Sequence, residues 1–147
     1  MAIISPELIT VDTEYTFTVN PSDDFQFFKE IGSERIKKAQ NHMTYIIRQN
    51  PNVKINLQLE ISRTGRLHWH GTLMFKHLKH VTTFFLETIP DLLTKHHIEI
   101  DTIADKAKWK EYCLKQKHLI DVNLYTDDLI KNLGKPRNKV FKDISEY

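Results

Sequence analysis

Lys54 to Lys76 reads KINLQLEIS, RTG, RLHWHGTLMFK. In the first run Ile55, Leu57, Leu59 and Ile61 alternate with Asn56, Gln58 and Glu60, the period of a strand with one face in a core. The alternation resumes after the break. Trp69, Gly71, Leu73 and Phe75 share one face; His68, His70, Thr72 and Met74 share the other. Gly65, at the third place of the loop Arg63-Thr64-Gly65, suits a type I turn followed by a left-handed glycine and a bulge. That turn sets the register: Ser62 opposite Arg66, Glu60 opposite His68, Gln58 opposite His70. Directly opposed residues have Cβ atoms ~4.5–5.5 Å apart. The apolar partners Trp69, Leu73 and Phe75 point inward, so Glu60, His68 and His70 are expected to converge on the outer face. Two imidazoles and a carboxylate form a borderline-hard ligand set suited to Mn²⁺, Mg²⁺, Zn²⁺ or Fe²⁺. With eight histidines in the chain, one His-x-His pair is unsurprising by itself. What singles this pair out is the strand face; His96-His97 point apart, and His77 and His80 have no carboxylate beside them.

Upstream, Glu14 to Asn20 alternates as a strand, with Tyr15, Phe17 and Val19 on one face and Thr16, Thr18 and Asn20 on the other. Pro21 stops it, and Ser22 or Asp23 can cap a helix that runs to about Gln49 through Phe27, Phe28, Ile31, Ile36, Met43, Ile46 and Ile47. Gly32 and Ser33 are a point at which it can divide. Asn50-Pro51-Asn52 is a turn. Downstream, His80 to Leu93 reads as a helix, His97 to Ile103 as a short strand, Asp105 to Lys117 as a helix and Leu119 to Tyr125 as a last strand. Asp127 to Leu133 reads as a short helix ended by Gly134 and Pro136, before the basic stretch Lys135 to Lys139. The expected fold is α+β: a mostly antiparallel central sheet flanked by helices, close to the split βαβ pattern.

The 147 residues make one domain, and with 40% of them hydrophobic a buried core is within reach. A net charge of +2 permits contact with phosphates without demanding it. Cys113 is the only cysteine, so no disulfide forms within the chain, which fits a reducing compartment. No run approaches the ~18–20 apolar residues of a membrane span, and the first residues lack a signal peptide's basic start. The expected protein is soluble and intracellular, with no membrane partner.

The segment Lys108-Trp109-Lys110-Glu111-Tyr112-Cys113-Leu114-Lys115 places a phenol among ammonium groups. On a helix Lys108 and Lys115 lie four before and three after Tyr112, on its face. Nearby cations favour a phenolate, and a metal can take charge developing on a phosphoryl oxygen, so Tyr112 is a workable nucleophile for a phosphodiester. A tyrosine packed at a helix–sheet boundary with solvated lysines would look the same from this segment alone.

His68-Trp69-His70 before Gly71 and an apolar strand resembles the His-hydrophobic-His motif of HUH endonuclease domains, as found in the rolling-circle replication initiators (Rep proteins) of circular single-stranded DNA viruses and related plasmids. Tyr112-Cys113-Leu114-Lys115 resembles their Tyr-x-x-Lys motif, and Phe17-Thr18-Val19-Asn20 resembles their Phe-Thr-Leu-Asn motif. Order, spacing and element type agree, and Glu60 stands eight residues before His68 as the family's carboxylate does; the resemblance covers roughly residues 14–120. It implies that Glu60, His68 and His70 hold Mn²⁺ or Mg²⁺. Tyr112 would attack the scissile phosphodiester and keep a 5′-phosphotyrosine link, with Lys115 positioning or neutralising the phosphate or tyrosine. Thr18, Asn20 and Lys108 would contact DNA, the partner being a single-stranded origin stem-loop. Pro21 stands where the family often has a second Asn, which puts DNA contacts at that point in doubt. No Gly-x-x-x-x-Gly-Lys-Ser/Thr loop occurs. The chain is therefore expected to be either a short Rep or an excised nuclease domain, with the nuclease over residues 1–125 and, over 126–147, a helix and linker toward a helicase domain and an oligomer in the longer protein of the second case. The expected compartment is the host nucleus for a eukaryotic virus and otherwise the cytoplasm. A relaxase or transposase would share the chemistry. A non-catalytic RNA-recognition-type module shares the fold, but its sheet carries aromatics where this face carries Thr, Glu, Gln and His. An iron oxygenase would use a similar triad on a many-stranded barrel.

Overall fold

The computed structural model describes residues 2–22, 33–62, 65–117 and 119–131. The five strands are β1 (Glu14–Pro21), β2 (Val53–Ile61), β3 (Leu67–Phe75), β4 (His96–Thr102) and β5 (Asn123–Tyr125). They form one sheet in the order β4-β1-β3-β2-β5, antiparallel throughout. Helix α1 (Ser33–Gln49) joins β1 to β2. Between β3 and β4 come α2 (Leu78–Thr83), a π turn (Phe84–Thr88) and α3 (Ile89–Leu93); α4 (Lys106–Cys113) and α5 (Thr126–Lys131) flank β5. The order of the first four strands is the split βαβ arrangement expected from the sequence, with β5 added beyond β2.

One face of the sheet carries the core. Tyr15, Phe17 and Val19 of β1, Ile55, Leu57 and Leu59 of β2, Leu67, Trp69, Leu73 and Phe75 of β3, and Ile98 and Ile100 of β4 are all at most 3% exposed. They pack with Met43, Ile46 and Ile47 of α1 and with Phe84 and Leu92 between β3 and β4. Phe84 meets Phe75 edge-on, with ring centroids 5.4 Å apart. Burying a large apolar side chain is worth ~1.5–3 kcal/mol. A one-residue slip of any strand would turn this whole set to the other face.

The observed ends differ from the sequence reading where long-range contacts intervene. The helix expected over His80–Leu93 begins at Leu78 and widens into the π turn just before Pro90, which has no N–H to offer an i−4 carbonyl. The helix expected to Lys117 stops at Cys113, with Leu114 leaving helical geometry at φ −98° and ψ 7°. The last strand is shortened to Asn123–Tyr125, although the Val122 carbonyl still accepts from Leu59 N–H at 3.1 Å. α5 starts at Thr126, whose hydroxyl oxygen accepts from Ile55 N–H at 2.7 Å and so ties the helix to the strand edge. Ser22 caps no described helix; its N–H donates to the Lys95 carbonyl at 2.9 Å. Asp23, Phe27, Phe28, Ile31, Gly32, Arg63, Thr64, Gly134 and the Lys135–Lys139 stretch lie outside the described residues.

Gly71 is required by close approach. It sits between Phe17 of β1 and Leu57 of β2, and a Cβ built on it would lie 1.6 Å from the Asn56 carbonyl oxygen. Gly71→Ala is expected to push β2 and β3 apart and cost ~1–3 kcal/mol, the range for overpacking a filled site. Urea unfolding checks this, and an unchanged midpoint would contradict it.

His96, at the start of β4, is 4% exposed, and its Nε2 lies 2.8 Å from Nδ1 of His42 on α1. Burial, then the charges of His42 and Lys95, push the His96 imidazole down to about 3; burial and Lys95 also lower His42. Between that value and the ordinary one near 6.5 the unfolded chain binds a proton that the folded one does not, so stability falls as pH falls through this window. At ~1.36 kcal/mol per pH unit, roughly 2–3 kcal/mol should be lost by about pH 4.5. His96→Gln should flatten the acid limb of stability against pH; an unaltered limb would assign acid sensitivity elsewhere.

Candidate active site

The hairpin has the register that the loop demanded. Glu60 pairs with His68 and Gln58 with His70. Ser62 N–H donates to the Arg66 carbonyl at 2.8 Å, and Gly65 has a φ of 84°. On the outer face Glu60 and His70 are 9% and 8% exposed, because α4 lies over them. His70 Nε2 is 3.7 Å from Glu60 Oε1. The His68 and His70 rings stack with centroids 6.1 Å apart, and His68 Nδ1 is 2.5 Å from Asn20 Oδ1. Burial lowers both imidazoles against the opposing pull of Glu60.

Asp105 sets the start of α4, and two tethers aim the helix at this face. Asp105 caps the helix by accepting from Lys108 N–H at 3.1 Å. Trp109 Nε1–H donates to the Gly71 carbonyl at 2.8 Å. Beyond the helix, the Gln116 amide clamps the end of β2: Oε1 accepts from Ile61 N–H and Nε2 donates to the Ile61 carbonyl, both at 2.8 Å. Tyr112 is held between them. Its ring stands edge-on to His70 at 5.3 Å and stacks on Trp109 at 5.5 Å, yet the residue remains 43% exposed.

Lys115 closes the cluster. Its Nζ is 2.9 Å from Glu60 Oε2 and 4.0 Å from the centre of the Tyr112 ring. Burial pulls the ammonium down, but hydrogen bonding and charge from Glu60, with Tyr112 adding, outweigh it and leave Lys115 raised above its ordinary value. Cys113 is not a competing nucleophile: burial, with the Glu60 charge, pushes its thiol up to about 12.

Thr18, Asn20, Glu60, His68, His70 and Tyr112 share one cleft of about 350 Å³. Thr18 is opposite His70 in the β1–β3 register. Lys108 is not among the cleft's lining; it borders a separate hollow with Thr16, Thr102 and Tyr112, so the ammonium beside the ligand set is Lys115 alone of the two. Glu99 also lines the cleft and was not singled out from the sequence. It stands opposite Thr18 across β1–β4, a pairing between strands about eighty residues apart that no local pattern announces.

The residue types fit a divalent ion, with His70 Nε2 the ring nitrogen turned toward Glu60. In the side-chain positions seen, no three imidazole, carboxylate or thiol groups among the described residues stand close enough to hold one. An ion would compete with Lys115 for Glu60, whereas the Asn20 contact on His68 Nδ1 leaves the Nε2 of that ring to face an ion. No helix among the described residues is long and apolar enough to cross a membrane. The chain matches no family model, and no curated protein or solved structure is significantly similar to it.

Proposed function

We propose that this chain is a metal-dependent endonuclease that nicks and rejoins single-stranded DNA through Tyr112, the chemistry with which the Rep-type initiators it resembles in sequence begin rolling-circle replication. The observation that carries this reading is the position of Tyr112: a partly exposed phenol packed on His70, with the Lys115 ammonium 4.0 Å from its ring and bound to Glu60.

In this reading the scissile phosphate lies in the cleft beside Thr18, Asn20 and Tyr112. The Tyr112 oxygen attacks phosphorus in line, forming a tyrosyl O–P bond as the P–O3′ bond breaks. The bonding pair leaves on the 3′ oxygen, which takes up a proton as the phenol loses one. Lys115, whose Nζ lies 4.0 Å from the Tyr112 ring centre, then faces the phosphotyrosine. The link conserves the energy of the diester, so the 3′-hydroxyl can later attack it and restore the strand. A Mn²⁺ or Mg²⁺ ion held by Glu60, His68 and His70 would polarise a non-bridging phosphate oxygen. Thr18 and Asn20 on β1, and Lys108 from the neighbouring hollow that Tyr112 also borders, would contact the strand. A helicase domain and an oligomer are partners expected from the resemblance alone.

Incubation with stem-loop oligonucleotides and Mn²⁺ should give a protein–DNA adduct on a denaturing gel, mapped to Tyr112, from single-stranded substrate and not from uninterrupted duplex. Binding without an adduct or nick on any stem-loop would favour a recognition module of the same fold.

A further inference from the structure

α2, the π turn and α3 make one continuous helical run, Leu78 to Leu93. Val81, Phe84, Ile89 and Leu92 turn its inner side into the core. Its outer side carries Leu78, Leu86 and Leu93, which are 65%, 72% and 49% exposed, with exposed Thr82 and Pro90 between them. Single exposed leucines are ordinary, but a row of them along one helix marks a contact surface. We propose that two copies of the chain pair antiparallel through this row. The proposal does not rest on the nuclease reading.

The π turn keeps the row straight. An α-helix has 3.6 residues per turn, so each four-residue step drifts about 40° around the axis. Leu78, Thr82, Leu86 and Pro90 stand four apart and on a plain α-helix would spiral across the surface. The wider π turn, Phe84–Thr88, takes back that drift in mid-run. Leu86 and Pro90 therefore stay in line with Leu78 and Thr82, and Leu93 continues the line.

Charge selects the partner. Along the flank of the row that lies away from the core run Lys79, Thr83, Glu87 and Asp91, all exposed, with the cation at one end and the carboxylates toward the other. None of the three charges forms an ion pair among the described residues, and Asp91 is the least of three influences on His42. His77 and His80 stand at the Lys79 end, Lys76 is paired with Asp12, and Lys95, beyond Leu93, has its charge beside His42 and His96. Two helices related by a two-fold axis perpendicular to both run antiparallel, and each meets the same flank of the other. With Leu86 at the axis, Leu78 meets Leu93 of the second copy, Lys79 meets Asp91 and Thr83 meets Glu87. A parallel pair would set the charged flank against the side that bears Val81, Phe85 and Ile89 and leave the charges unmatched. Any apolar partner could cover the leucines; the reversed order of charges is what a second copy supplies.

Sedimentation equilibrium over a concentration series at low ionic strength should show a reversible monomer–dimer step. The contact is small, so the dimer should be weak, filling by a protein concentration on the order of 1 mM. Leu86→Glu sets two carboxylates together at the axis and should raise the dissociation constant at least ~tenfold, with the melting of the dilute monomer unaltered. Leu78→Ser, at the end of the row, should act in the same direction and serves if Leu86→Glu perturbs the fold. Lys79→Glu or Asp91→Lys alone should weaken the dimer on the order of fivefold, because the axis repeats each pair. The two together should restore the parent value. A chain that stays monomeric throughout the series would overturn the proposal. So would a dimer indifferent to both leucine variants, which would place the contact elsewhere. A dimer that the leucine variants break but the charge swaps do not weaken and restore in this pattern would overturn the antiparallel pairing.

Discussion

Tyr112→Phe should abolish both the covalent adduct and the nick while leaving fold, metal binding and DNA affinity in place. The substitution removes one hydroxyl and keeps the ring. The contacts that seat this residue are ring contacts, with His70 at 5.3 Å, Trp109 at 5.5 Å and Lys115 at 4.0 Å. At 43% exposure, its packing contributes little stability that phenylalanine would not supply. The nucleophile itself is lost, so no residual rate through the same step is expected. Denaturing gels read the adduct, fluorescence anisotropy the affinity and thermal melting the fold. Cleavage persisting at the same site and rate would mean that a water molecule is the nucleophile. An adduct persisting on Tyr45, which is 55% exposed, or on Tyr125 would relocate the nucleophile within the same fold.

Lys115→Met should move metal binding and catalysis in opposite directions. Lys115 holds Glu60 Oε2 at 2.9 Å, the carboxylate that an ion between Glu60 and the histidines would need. Removing the ammonium leaves Glu60 buried without its ion pair, which destabilises the metal-free protein. It also removes the competitor, so Mn²⁺ should bind more tightly and raise the melting temperature more than in the parent chain. An ion at 100 times its dissociation constant stabilises by ~2.7 kcal/mol. Strand cleavage should nevertheless fall by about 10²–10³-fold, the usual cost of one preorganised charge at a reacting centre. Calorimetric Mn²⁺ titration with single-turnover cleavage separates the two effects. Weaker Mn²⁺ binding in the variant would show that Lys115 supports the ion rather than competing with it.

The hairpin and its outer-face cluster were legible in the sequence because their determinants are local. A period of two, apolar partners on one face and glycine at the third loop position fix the register of β2 on β3, and with it the neighbourhood of Glu60, His68 and His70. The sheet class was legible for the same reason: each strand carries its own alternation. Contacts between elements far apart in the chain could be decided only by the tertiary structure. Ideal helix geometry puts Lys108 and Lys115 equally on the Tyr112 face, yet the helix ends at Cys113 and Gln116 is clamped to Ile61, which swings Lys115 alone onto Glu60. Glu99 reaches the cleft through the β1–β4 pairing, His96 meets His42 across a helix–sheet contact, and Gln58 is oriented by Ile120. Sequence periodicity says which face a side chain takes; how α4 is tilted and tethered over that face sets which of the residues there can meet.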